Sequence, residues 1–223
     1  MGKVTDDILN GFSGKVGNLI FYQVNGQTLI RTKPGQRTGT TTPLQTYHQE
    51  AFALVQEFLS PMKKELAIGF VAYRKGAKRG IDRAKSLMLK NAIYPLDGAP
   101  VLQPEKALVS SGDLTGVQDA FHTDLGSGKF TIEWTPNSWD GSARDADKTF
   151  VVVYDTVHQR VFSNQGLGYR KDGYLEVQLP WLSFDSGAEA PGVYVYFSFY
   201  SERAGNSLFS DSVCLGKIAG GGG

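Results

Sequence analysis

Apolar residues recur along this chain with two different periods, and the period changes near residue 98. Ahead of that point, Leu44, Tyr47, Ala51, Leu54, Val55, Phe58 and Leu59 fall at three- and four-residue spacing, which places them on one face of a helix. Thr42-Pro43-Leu44-Gln45 supplies the start of that helix. Thr is a capping residue, Pro suits the first helical position, and Gln three residues on closes a capping box. Ser60-Pro61 repeats the start signal, and Met62, Leu66, Phe70 and Tyr73 carry a second stripe toward Gly76. Ile81, Ala84, Met88 and Ala92 make a third, predicting a helix over Ile81–Ile93 that ends near Tyr94-Pro95. The residue before a proline is disfavoured in helix.

Beyond Ala99 the apolar period shortens to two. Phe130, Ile132 and Trp134 alternate with polar neighbours, the pattern of a half-buried strand. Further runs at Lys106–Ser110, Thr149–Tyr154, Arg160–Ser163, Tyr174–Leu179, Val193–Tyr200 and Leu208–Leu215 make seven short strands between turn residues. That spacing predicts an antiparallel β-sandwich. At the other end of the chain, Leu19–Val24 and Gln27–Thr32 flank Asn25-Gly26, a dipeptide suited to the positive φ of a tight hairpin turn. A hairpin alone is marginal in water, so its apolar residues need a surface to pack on. The expected fold class is therefore α+β and multidomain: a glycine-rich arm with a β-hairpin (residues 1–34), a basic helical segment (35–97) and a sandwich (98–223).

Charge sharpens this division. The net charge of the 223 residues is only +1, yet residues 1–97 carry 14 Lys and Arg against 7 Asp and Glu, while residues 98–223 carry 9 against 15. The two parts thus stand at +7 and −6. Such polarity suits an anionic partner for the basic part, or attraction between opposite parts of two copies. Arg74, Lys75, Lys78, Arg79, Arg83 and Lys85, with Lys90, form the basic face. Only Tyr73 and Tyr94 lie near it as base-stacking aromatics, so a solvated or protein-binding face is expected rather than a nucleic-acid site.

Motifs for catalysis are missing. His48, His122 and His158 do not fall in metal-ligand spacing. Gly11–Gly17 departs from a phosphate-binding loop at Leu9 and Val16, and Gly166-Leu167-Gly168 reads as a loop among strands. Asp140, Asp145 and Asp147 lack EF-hand order. The lone Cys214, between Val213 and Leu215, reads as a strand thiol packed in the core. No catalytic residue, metal or cofactor is implied. The longest nearly apolar stretch, Val193–Tyr200, is far short of the roughly 20 residues a helix needs to span a bilayer. Nor does the N-terminal segment read as a signal peptide, so synthesis in the cytoplasm is expected.

Two resemblances add to this reading. Trp134 with Pro136, the Leu175–Pro180 run and the Tyr194–Phe199 run resemble landmark strands of the fibronectin type III or immunoglobulin-like sandwich. Gly11–Gly17, Arg31 with Pro34, Phe58-Leu59-Ser60-Pro61 and Leu89–Ile93 resemble a family of uncharacterised proteins from Bacteroidota, a domain of unknown function. The second resemblance implies no activity and carries no catalytic residues.

The expected function is that of a non-enzymatic structural protein, self-assembling into a homo-oligomer or filament through its N-terminal arm. Phe12, Val16, Leu19, Ile20, Phe21, Leu29 and Ile30 are the expected interface residues. Two alternatives stand beside it. One is a bacteriophage virion component of capsid, decoration or tail type. The other is a surface adhesion or glycan-binding module using Trp139 and Trp181.

Overall fold

The computed structural model describes residues 2–3, 11–24, 26–35, 39–181, 192–203 and 205–218. In chain order, β1 (Gly2–Lys3), β2 (Gly14–Val16), β3 (Leu19–Val24) and β4 (Gln27–Thr32) precede α1 (Pro43–Leu59), α2 (Lys63–Gly69) and α3 (Gly80–Asn91). A hairpin of β5 (Ile93–Leu96) and β6 (Ala99–Leu102) follows, then β7 (Phe121–Gly126), β8 (Lys129–Glu133) and β9 (Lys148–Asp155). The chain continues through β10 (Arg160–Tyr169), β11 (Tyr174–Gln178), β12 (Val193–Arg203), β13 (Asn206–Phe209) and β14 (Val213–Lys217). The described residues are mostly β, with three α-helices and several antiparallel sheets.

Strands β9 and β12 lie side by side at the centre, flanked by β10 on one edge and by β13 and β14 on the other. Both are buried on both faces, and their alternation sorts two cores. Val151, Val153, Val193, Val195, Phe197 and Phe199 face a smaller sheet, ordered β11-β8-β7, and bury a cluster with its Phe130, Ile132, Leu175 and Val177. Phe150, Val152, Tyr154, Tyr194, Tyr196 and Tyr200 face the other way. Their partners there are Val55, Phe58, Leu59, Met62, Leu66, Phe70, Ala84 and Met88 of the helical segment. The basic helices and the sheet therefore share one core, with helices, large sheet and small sheet stacked in that order.

Helix α1 starts as its sequence predicts. Thr42 Oγ1 accepts from the Gln45 N–H at 3.3 Å, and Gln45 Oε1 accepts from the Thr42 N–H at 3.0 Å. The second predicted helix is shorter than expected: α2 ends at Gly69, and Val71–Tyr73 is a single 3₁₀ turn. Gly69 has no room for a side chain, because a Cβ there would lie 2.2 Å from the Val109 carbonyl oxygen. The chain crosses so closely that Ser111 N–H donates to the Gly69 carbonyl at 3.0 Å.

Four expectations change. Ile93–Pro95, expected to end the third helix, instead opens the β5–β6 hairpin. Its turn residues Asp97 and Gly98 both have positive φ, so the division after Asp97 falls inside a turn. Lys106–Ser110 is not a strand. Its Val109 and Ser110 N–H groups donate to Ser212 Oγ, at 2.8 and 3.4 Å, instead of to a ladder. Leu208–Leu215 divides into β13 and β14, both paired with β12, around the buried Ser210 and Ser212. Gly166-Leu167-Gly168 lies within β10, where the register with β9 shifts between Gln165 and Tyr169.

Beside the small-sheet core sits a buried guanidinium. Arg170, fully enclosed, donates through Nε to Asp147 Oδ2 (3.1 Å), and through its terminal nitrogens to Asn137 Oδ1 (2.6 Å) and the carbonyls of Thr115 (2.7 Å) and Gly116 (3.1 Å). Its carbon centre stands 4.0 Å from the Phe199 ring centroid. Asp147 is also paired with Arg203 and accepts the Arg144 N–H at 2.8 Å. Burial lowers the Arg170 pKa from its ordinary value, against the opposing pull of Asp147. Removing one partner of a buried pair leaves a desolvated charge. Arg170→Ala is therefore expected to lower unfolding free energy by about 3–5 kcal/mol in urea denaturation. A loss no larger than that of an ordinary surface substitution would contradict this role.

Candidate functional site

The N-terminal strands form a separate antiparallel sheet in the order β1-β4-β3-β2. It is a four-stranded sheet rather than the isolated hairpin expected from the sequence. Asn25 of the expected hairpin turn lies outside the described residues, while its neighbour Gly26 has φ +74. The register decides which apolar residues share a face, since directly opposed residues point the same way. Val16 opposes Leu19, which opposes Thr32; Gly14 opposes Phe21, which opposes Ile30. The Phe12 ring stands edge-on to Phe21 at 5.5 Å. Ile20 and Leu29 belong to the other face, with Tyr22.

The seven predicted interface residues are therefore divided. Phe21 and Leu29 are buried and Ile20 and Ile30 half-buried, but Phe12, Val16 and Leu19 are 45%, 52% and 38% exposed. Those three make an apolar strip at β2, which among the described residues pairs on one side only. Neither core cluster includes a residue of this sheet. It approaches the body where the Gln27 side chain lies beside Gly76.

The predicted basic face is spread over several elements. Arg74, Lys75 and Lys78 lie in the loop after the 3₁₀ turn, Arg79 at the N-cap of α3, and Arg83 and Lys85 on α3 itself. Arg79 is held by Asp82, with Nε to Oδ2 at 3.0 Å and a terminal nitrogen to Oδ1 at 2.8 Å. That hydrogen bond lowers the Asp82 pKa and raises that of Arg79. Arg83 stands 5.2 Å from the Tyr73 ring centroid, and Lys85 Nζ 5.8 Å from that of Phe52. Between α1, α2 and α3 opens a cleft of about 500 Å³, lined by Gln56, Lys63, Arg74, Arg79, Ile81 and Lys85. Lys63 and Gln56 were not among the residues predicted from the sequence. The Lys63-Lys64 pair at the start of α2 was the available signal for the first.

Elsewhere the polar residues are committed to structure. Asp155 Oδ2 lies 2.7 Å from His158 Nδ1, and the ring nitrogens of His122 face the carbonyls of Leu215 (3.0 Å) and Lys217 (3.2 Å). Among the described residues no group of three or more His, Cys, Asp or Glu side chains is placed to hold a metal ion. Burial pushes the Cys214 thiol up to about 11, which keeps it protonated near neutral pH. Trp181 is partly buried against the small-sheet core. Trp139 is 68% exposed, with φ +70; its Nε1 donates to Asp145 Oδ2 at 3.3 Å, and the Arg144 guanidinium stands 4.9 Å from its ring. Among the described residues no helix is long and apolar enough to cross a membrane.

No curated protein and no solved structure matches the chain. A family profile does match, over residues 11–216, and so takes in the N-terminal sheet from Gly11, the helices and both larger sheets. The chain belongs to that family, a family of unknown function (DUF6266).

Proposed function

We propose that this chain is a non-enzymatic structural protein whose copies associate through the N-terminal sheet. One observation carries the reading: the exposed strip of Phe12, Val16 and Leu19 adjoins β2, the edge strand of its sheet among the described residues. An open strand edge is a template for pairing with another chain, and an apolar strip beside it gives that pairing a driving force. A second copy satisfies both requirements, because β2 can pair with its own counterpart about a two-fold axis. The small and large sheets read as a fibronectin type III-like sandwich. Its first, second and fifth strands (β7, β8, β11) form one layer, and the remainder the other. In this reading the sandwich is the rigid body that the N-terminal sheet links to its neighbours.

A second reading rests on Trp139 alone. An exposed indole, oriented by Arg144 and Asp145, resembles a platform for a sugar ring. A glycan array probed with the full chain and with Trp139→Ala separates the readings. Trp139-dependent binding supports the adhesion role, and silence removes it.

The assembly reading is tested by light scattering on the full chain and on a chain lacking residues 1–34. The full chain is expected to gain mass as concentration rises. The truncated chain is expected to stay a single copy with its β circular dichroism retained, and Val16→Asp to behave like the truncation. Equal mass for all three proteins at every concentration would refute the role of the sheet.

A further inference from the structure

The cleft between α1, α2 and α3 gathers four cations from separate places in the chain. Lys63 comes from the start of α2, Arg74 from the loop that follows it, Arg79 from the cap of α3, and Lys85 from its second turn. Among the described residues no carboxylate lines this cleft. Asp82 faces the neighbouring depression and is occupied by Arg79. Among the described residues no ion pair joins Lys63, Arg74 or Lys85 to an acid.

Like charges held in a concavity repel one another, and low-dielectric walls focus their combined potential into the opening. A solvated basic surface relieves that repulsion by spreading its charges or interleaving acids. Here Asp82 offsets Arg79, and among the described residues no ion pair offsets the other three cations. Asp82 moreover clamps Arg79 through two of its five N–H donors, so one cation is already oriented and loses little freedom when an anion arrives.

From this geometry we infer that the cleft is a binding site for a small ligand carrying two or more phosphate groups. A single carboxylate cannot balance the three cations that Asp82 leaves over, whereas a diphosphate brings several negative charges on oxygens that guanidinium and ammonium groups both recognise. The volume, about 500 Å³, is that of a small-molecule site. Ile81 and Ala67 add an apolar wall, and Gln56 an amide for orientation. A polynucleotide fits less well, because among the described residues no tyrosine, phenylalanine or tryptophan lines the cleft to stack a base. The lining comes from the helices and the loop that carries Arg74, and among the described residues none of it belongs to β2.

The test is calorimetric titration of the full chain with sodium pyrophosphate at low salt, beside sodium acetate and a single-stranded oligonucleotide. Pyrophosphate is expected to bind with sub-millimolar affinity that falls as salt rises, and acetate to give no heat. Arg74→Gln with Lys85→Gln is expected to weaken pyrophosphate binding about tenfold or more, with an unchanged thermal midpoint. Both side chains reach the surface, so their loss spares the fold. No heat at millimolar pyrophosphate, or equal affinity in the double variant, would overturn the proposal. Tighter, variant-sensitive binding of the oligonucleotide would overturn it in favour of a nucleic-acid surface.

Discussion

Two adjacent strands that are apolar on both faces cannot border water, and β9 and β12 impose that condition on the whole chain. Each face requires its own cover. The period-two alternation hands Val151, Val153, Phe197 and Phe199 to the small sheet, and Phe150, Val152, Tyr154 and Tyr196 to the helices. The two covers differ in chemistry. The sheet-facing side is purely apolar at these positions, while the helix-facing side carries tyrosines whose hydroxyls need partners, as Tyr196 finds in the Pro104 carbonyl at 2.9 Å. At the margin of the sheet-facing side, Arg170 joins the segments around residues 115, 137 and 147 through one buried guanidinium, fixing loops that regular structure leaves free.

With both faces of the central strands covered, the N-terminal sheet is left outside. Its strands are short, its faces divide its apolar residues between them, and Phe12, Val16 and Leu19 remain in water. Residues of this kind in a monomer would be an aggregation liability at an open edge, so their placement beside β2 gives the assembly reading its physical content. The helices contribute differently. Having spent their apolar stripes on the sheet, they turn charged residues outward, and the turn from α2 into α3 folds those charges into a concavity.

Local signals were legible, and signals that depend on distant partners were not. The capping box of Thr42 and Gln45 marks the start of α1 to the residue, and the alternation of Phe130 and Ile132 marks β8. The Asp97-Gly98 turn was equally local, but the flanking prolines, Pro95 and Pro100, disguised the strands around it. The Lys106–Ser110 run has the composition of a strand, but its Lys106 and Ala107 N–H groups close a 3₁₀ turn on the Gln103 and Pro104 carbonyls, and those of Val109 and Ser110 find Ser212, about a hundred residues away. The stacking of helices on the sheet was hidden for a similar reason. A continuous apolar run such as Val193–Tyr200 reports burial on both faces without naming what does the burying. Of the proposed sites, the apolar residues of the arm were visible, but the faces they share were set by register. The cations near α3 were visible as a run, while their convergence with Lys63 was a product of the α2–α3 turn.

In the proposed assembly the edge of β2 that is unpaired among the described residues is covered by another copy. Amide hydrogen exchange across Gly14–Val16, followed at dilute and concentrated protein, reads that edge directly. Exchange in this segment is expected to slow as concentration rises, while the rates in β9 and β12 stay the same. Identical Gly14–Val16 rates at both concentrations would contradict it.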